Sequence, residues 1–138
     1  MIIEVMNKSR IEEYAKHVHG ERVIVISISS HANMEARISK SHYNGILDIC
    51  FLKFDDVDGS AGMTTGQAYK VHKFLDRAIN TLEFDRVIVQ CEAGQSRSAG
   101  VAAALMKFYN GDDFLIFGSP RYTPNMRCYR TMLEEMYR

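Results

Sequence analysis

One stretch of this sequence combines residue types and spacing suited to covalent chemistry: Cys91-Glu92-Ala93-Gly94-Gln95-Ser96-Arg97-Ser98. It follows the β-branched run Val87-Ile88-Val89-Gln90 and precedes the almost wholly apolar stretch from Ala99 to Tyr109. That order predicts a strand, a tight turn and a buried helix. The turn must curl so that its backbone N–H groups point inward, and Gly94 supplies a position where positive φ costs little. A nest of N–H groups backed by a helix N-terminus is a site for a phosphate-sized anion. The amides of Glu92, Ala93, Gly94, Gln95 and Ser96 would form it. Arg97 falls in the first helical turn, where the helix end repels cations, so its placement makes sense only with an anion nearby. Its planar fork can grip two phosphate oxygens. The same positive surroundings favour the thiolate of Cys91, the form that attacks.

The pattern C-x-x-G-x-x-R-S from Cys91 to Ser98 resembles the phosphate-binding loop of cysteine-dependent protein tyrosine phosphatases, most closely that of the dual-specificity branch. Phe51-Leu52-Lys53-Phe54-Asp55-Asp56-Val57 is similar to the strand carrying that family's general-acid aspartate. Pro124-Asn125 ahead of an apolar helix is similar to the Pro-Asn that opens the family's last helix. The resemblance spans about residues 46 to 137. It implies a nucleophile at Cys91, an oxyanion clamp at Arg97, and a hydroxyl at Ser98 that eases the thiolate away. It places the general acid at Asp56, with Asp58 as the alternative. No metal or cofactor is implied. One departure stands beside the nucleophile, where the family's histidine is replaced by Gln90. His31 reads as a surface loop residue, and Cys50 and Cys128 read as structural.

The elements that must hold these groups alternate. Ile2 to Met6 reads as a strand, and Ser9-Arg10-Ile11-Glu12 fits a capping box opening a helix that runs to about Gly20. Val23 to Ile28 and Ile46 to Phe54 read as strands, and Arg86 to Gln90 as the next. From Thr65 to Leu82, Ala68, Val71, Leu75, Ile79 and Leu82 recur at helical spacing. Asn110-Gly111 closes the buried helix, and the last one is predicted to start at Thr123-Pro124, with Tyr129, Leu133 and Met136 as its buried stripe. Strands alternating with helices predict an α/β fold with a mostly parallel sheet between helices.

Composition narrows the classes further. With 46% hydrophobic and 25% charged residues, a 138-residue chain reads as one ordinary globular domain, residues 1–138. Seventeen basic residues against 17 acidic ones remove the electrostatic case for a nucleic-acid binder. No apolar run is long enough for a membrane span. Three widely spaced cysteines give no disulfide framework, and only His17 and His19 form a close histidine pair, so no metal site is expected. The expectation is a cytoplasmic, monomeric phosphomonoesterase acting on a phosphorylated substrate, a phosphoprotein first, through a cysteinyl phosphate. The alternatives are a phosphate-binding pseudophosphatase and, behind it, a thiol enzyme of the sulfurtransferase or arsenate-reductase type.

Overall fold

In the computed structural model, which describes residues 1–138, the chain runs β1 (Ile2–Met6), α1 (Lys8–Tyr14), β2 (Val23–Ser29), β3 (Ile46–Lys53), α2 (Thr65–Thr81), β4 (Arg86–Gln90), α3 (Arg97–Asn110), α4 (Phe114–Phe117) and α5 (Met126–Met136). The four strands form one sheet in the order β1-β4-β2-β3, and every pairing is parallel. All seven residues of β2 are buried, as the uninterrupted β-branched run requires of a strand covered on both faces. The two faces are unequal. A large core joins the sheet to α2, α3 and α5, whereas a smaller one lies under α1 and includes Met6, Ile11, Val25 and Ile88.

Arg97 through Met106 are all buried in α3, so this helix is the centre of the larger core. Gly100 lets α5 approach it. A Cβ there would lie 2.4 Å from the Asn125 carbonyl oxygen and 2.9 Å from the Cys128 Cβ. Gly111 closes α3 with a left-handed φ of 80°, and its N–H bonds the Lys107 carbonyl.

Helix starts depart from the sequence expectations for local reasons. α1 is capped by Asn7, whose side chain accepts from the Arg10 N–H at 2.8 Å, and Glu12 is drawn away to the Arg37 N–H at 2.7 Å. No capping box therefore forms at Ser9. The helix stops at Tyr14 because the following polar run offers no stripe to bury; Val18 is 63% exposed. The reciprocal box occurs at α2 instead, between Thr64 and Gln67. On α2 the buried stripe is Ala68, Val71, Phe74, Leu75 and Ala78, and Ile79 is exposed. α5 begins after Pro124, because Asn125 caps it by accepting from the Cys128 N–H at 3.0 Å. Its buried stripe is Cys128, Met132, Glu135 and Met136, flanked by half-buried Tyr129 and Leu133. The short α4 was not foreseen, since four residues carry no readable period.

A polar network pins the end of the sheet away from the loop after β4. The Arg86 guanidinium contacts Glu21 at 2.6 Å and also pairs with Glu4, while the Tyr14 hydroxyl donates to Glu21 at 2.8 Å. The hydrogen bonds from Arg86 hold the Glu21 carboxyl below its ordinary value of 4.5. A carboxylate with a lowered folded-state value stabilises the fold above its unfolded value and loses that contribution as pH falls through the folded one. Glu21→Gln is therefore expected to cost about 1–3 kcal/mol at neutral pH and to flatten the fall in Tm below about pH 4.5. Thermal melts of both proteins from pH 3 to 7 check this; parallel melting curves would remove the network from the stability account.

Candidate active site

The carboxyl ends of β2, β3 and β4 converge, the place where open α/β sheets collect their ligands. Cys91 follows β4 directly. Its Sγ lies 3.0 Å from the Ser98 Oγ and accepts from the Ser98 N–H at 3.5 Å, and the residue is 2% exposed. Gly94 takes the expected positive φ, 65°, and has a second reason to be glycine. A Cβ would stand 2.7 Å from the Asn7 amide nitrogen, so the loop rests on the junction of β1 and α1. The Lys8 N–H donates to the Glu92 carbonyl at 3.2 Å from the same junction. None of the backbone N–H groups from Glu92 to Arg97 finds an acceptor within the chain. The loop therefore keeps its backbone donors free of internal partners.

Arg97 stands at the start of α3, directly after the loop. It is 5% exposed and pairs with no carboxylate. Its Nη1 donates to the Ser30 Oγ at 2.7 Å and to the Phe54 carbonyl at 3.0 Å, which fixes one corner of the guanidinium between β2 and β3. Its buried Nε–H has no partner at all. A buried cation held only by neutral groups, with a donor left over, is costly unless an anion completes it.

The three acidic residues after β3 separate clearly. Asp56 Oδ1 accepts from the Ser96 hydroxyl and from the Asn125 Nδ2, each at 2.8 Å, so its carboxylate stands at the rim of the loop. Asp58 points to Arg130 at 3.1 Å, and its carbonyl takes the Arg127 guanidinium at 2.7 Å. Asp55 accepts from the backbone and ring of His31 at 3.1 and 3.2 Å; the backbone bond, foremost, holds its carboxyl below the usual range. His31 is largely exposed.

The structure thus brings Cys91, Ser98, Arg97, Ser96 and Asp56 together, and it leaves Asp58 outside. The Glu92 carboxylate leans out to Lys8 at 3.9 Å, and Ala93 and Gln95 are exposed. Gln90 does not brace the loop with its side chain. Its Oε1 accepts from the Ser27 hydroxyl at 2.6 Å, its cross-strand neighbour on β2. Burial pushes the Cys50 thiol up to about 11 and the Cys128 thiol up to about 12, as suits packed, unreactive sulfurs. Ser30 was missed in the sequence; its only signal was its place immediately after β2. Asn125 was noted as a helix opener, but not as the link that joins Asp56 to the loop through its own N–H on the Ser96 carbonyl at 2.9 Å. No three His, Cys, Asp or Glu side chains come together in a way that could hold a metal ion.

This is the fold of the dual-specificity branch of tyrosine phosphatases. The human tyrosine phosphatase-like serine/threonine/tyrosine-interacting protein superposes with a TM-score of 0.59 at 19% identity, covering 93% of this chain and 83% of that one. Human DUSP28 gives 0.59 at 16% identity, covering 98% and 91%. Tk-PTP in its active form gives 0.58 at 13% identity, covering 99% and 90%. No family model and no curated protein matches the sequence. No helix is long and apolar enough to cross a membrane.

Proposed function

We propose that the chain is a cysteine-dependent phosphomonoesterase of the dual-specificity type. The observation that carries this reading is Arg97: a buried, carboxylate-free guanidinium with an unpartnered Nε–H, beside a run of unpartnered loop amides. A phosphoryl group completes both. In the first step the Cys91 thiolate attacks phosphorus, forming the S–P bond as the P–O bond to the leaving group breaks. The loop amides and Arg97 hold the three non-bridging oxygens, and Asp56 gives its proton to the departing oxygen. In the second step water attacks the cysteinyl phosphate, Asp56 takes a proton from it, and the thiolate leaves toward the Ser98 hydroxyl. A phosphoprotein is the substrate class that an open, exposed loop rim accommodates. The deciding experiment is p-nitrophenyl phosphate hydrolysis with vanadate as competitor; phosphate binding without turnover would leave a phosphate-binding module.

The acid assignment has its own test. Asp56→Asn is expected to lower kcat on phosphotyrosine by about 10²- to 10⁴-fold. The loss should shrink on substrates whose leaving group needs no proton. Asp58→Asn should change kcat little, because Asp58 is held by Arg130 away from the loop. Steady-state rates across a leaving-group series check both, and the opposite ranking would move the acid to Asp58.

A further inference from the structure

Between β3 and α2 lies a charged face that the reaction does not use. β3 is an outer strand, and three of its backbone groups are taken by nearby polar side chains. The Ile49 N–H donates to the Asp48 carboxylate at 2.9 Å, Lys70 donates to the Phe51 carbonyl at 2.7 Å, and Gln67 donates to the Lys53 carbonyl at 2.8 Å. Alongside runs a groove of about 520 Å³ with Ile49, Phe51, Tyr69 and Phe74 among its walls. Lys70, Lys73 and Arg77, spaced three and four apart, line it from one face of α2. The Lys73 ammonium sits 5.4 Å from the centre of the Tyr69 ring. Asp48 is already engaged by Arg77 at 3.0 Å and Lys40 at 3.9 Å, and Asp76 turns to His72 at 3.8 Å. Lys40, Lys70, Lys73 and Arg77 against Asp48 and Asp76 leave a local excess of two positive charges in a chain of formal net charge +0. Solvated lysines are common on helices, but here they rim an apolar floor. The groove and the candidate active site share one strand, β3 and its carboxyl end. Phe51 is three residues before Phe54, roughly 10 Å along the strand, and the Phe54 carbonyl anchors Arg97.

We propose that this groove docks an extended acidic polypeptide segment, its carboxylates on Lys70, Lys73 and Arg77 and one apolar side chain on the aromatic floor. Resting on the phosphatase reading, the segment belongs to the phosphoprotein that presents its phosphate to Cys91. The zero net charge favours a peptide over a nucleic acid, whose affinity rests on neutralising many phosphates.

Fluorescence anisotropy of a labelled, unphosphorylated Glu/Leu/Phe peptide tests the groove apart from catalysis. The wild-type protein should bind it saturably, and more weakly as salt rises. The double variant Lys70→Glu/Lys73→Glu should lose about tenfold or more in affinity with aryl phosphate turnover unchanged, its melting temperature falling only by what the lost Lys70 bond to the Phe51 carbonyl contributes. On a phosphotyrosine peptide with the acidic segment about four residues away, the variant should raise KM and spare kcat. Equal peptide affinity in variant and wild type overturns the proposal, and so does tighter binding of a single-stranded RNA of the same length. Peptide binding lost in the variant while neither protein hydrolyses an aryl phosphate would sustain the groove and strike the phosphatase reading instead.

Discussion

Cys91→Ser is expected to abolish aryl phosphate turnover, by about 10⁴-fold or more, while inorganic phosphate still binds. The two halves of that result come from different parts of the site. Turnover needs a nucleophile able to attack phosphorus and to leave again in the second step. A serine hydroxyl at this position has no general base beside it; its neighbour is another hydroxyl, Ser98. Binding depends on the free amides from Glu92 to Arg97 and on the Arg97 guanidinium, and the substitution touches none of them. Phosphate should therefore raise the Tm of the variant as it does that of the wild type, by binding the folded state alone. Turnover within tenfold of wild type would remove Cys91 from the chemistry. A loss of phosphate-induced stabilisation would mean that the sulfur shapes the nest itself.

Arg97→Lys should be almost as damaging, with kcat/KM falling about 10²- to 10³-fold or further. The guanidinium spans two tasks at once. Nη1 is fixed by Ser30 and Phe54, and Nε–H is left as a buried donor without a partner. A lysine ammonium is a single point with no fixed fork, so it can satisfy the anchor or the phosphate but not both geometries. The companion substitution Arg97→Met should separate function from stability. Removing a buried, carboxylate-free cation relieves a desolvation cost, so the phosphate-free Tm should hold or rise while the response to phosphate vanishes. Activity of Arg97→Lys near wild type would show that the fork is not used.

The sheet and the nucleophile loop were legible because their signals are local and strong. β4 coincides with its β-branched run, and the loop's Cys, Gly and Arg sit at spacings that only a turn into a helix explains. Other features depended on partners far along the chain. The Ser9 box failed because Glu12 is claimed by Arg37, and Asp56 could be separated from Asp58 only by seeing Ser96 and Asn125 reach the one and Arg130 the other. Gln90 stood out in the sequence only as a departure from the family's histidine; its side chain serves the neighbouring strand through Ser27. Ser30 carried no motif at all. Its value lies in standing opposite an arginine 67 positions away.

The seat of the loop on Asn7 and Lys8 also bears on how the site comes into being. β1 has β4 as its only partner in the sheet, so it must wait unpaired until Arg86 to Gln90 exist. Pairings of such sequence separation are slow to close, because the loop entropy is lost before the contacts form. β2, β3 and α2 need no such wait. The cradle for Gly94 is complete only when β1 docks, which makes the competent loop a late product of folding. A chain arrested before that step would hold most of its core and no anion site.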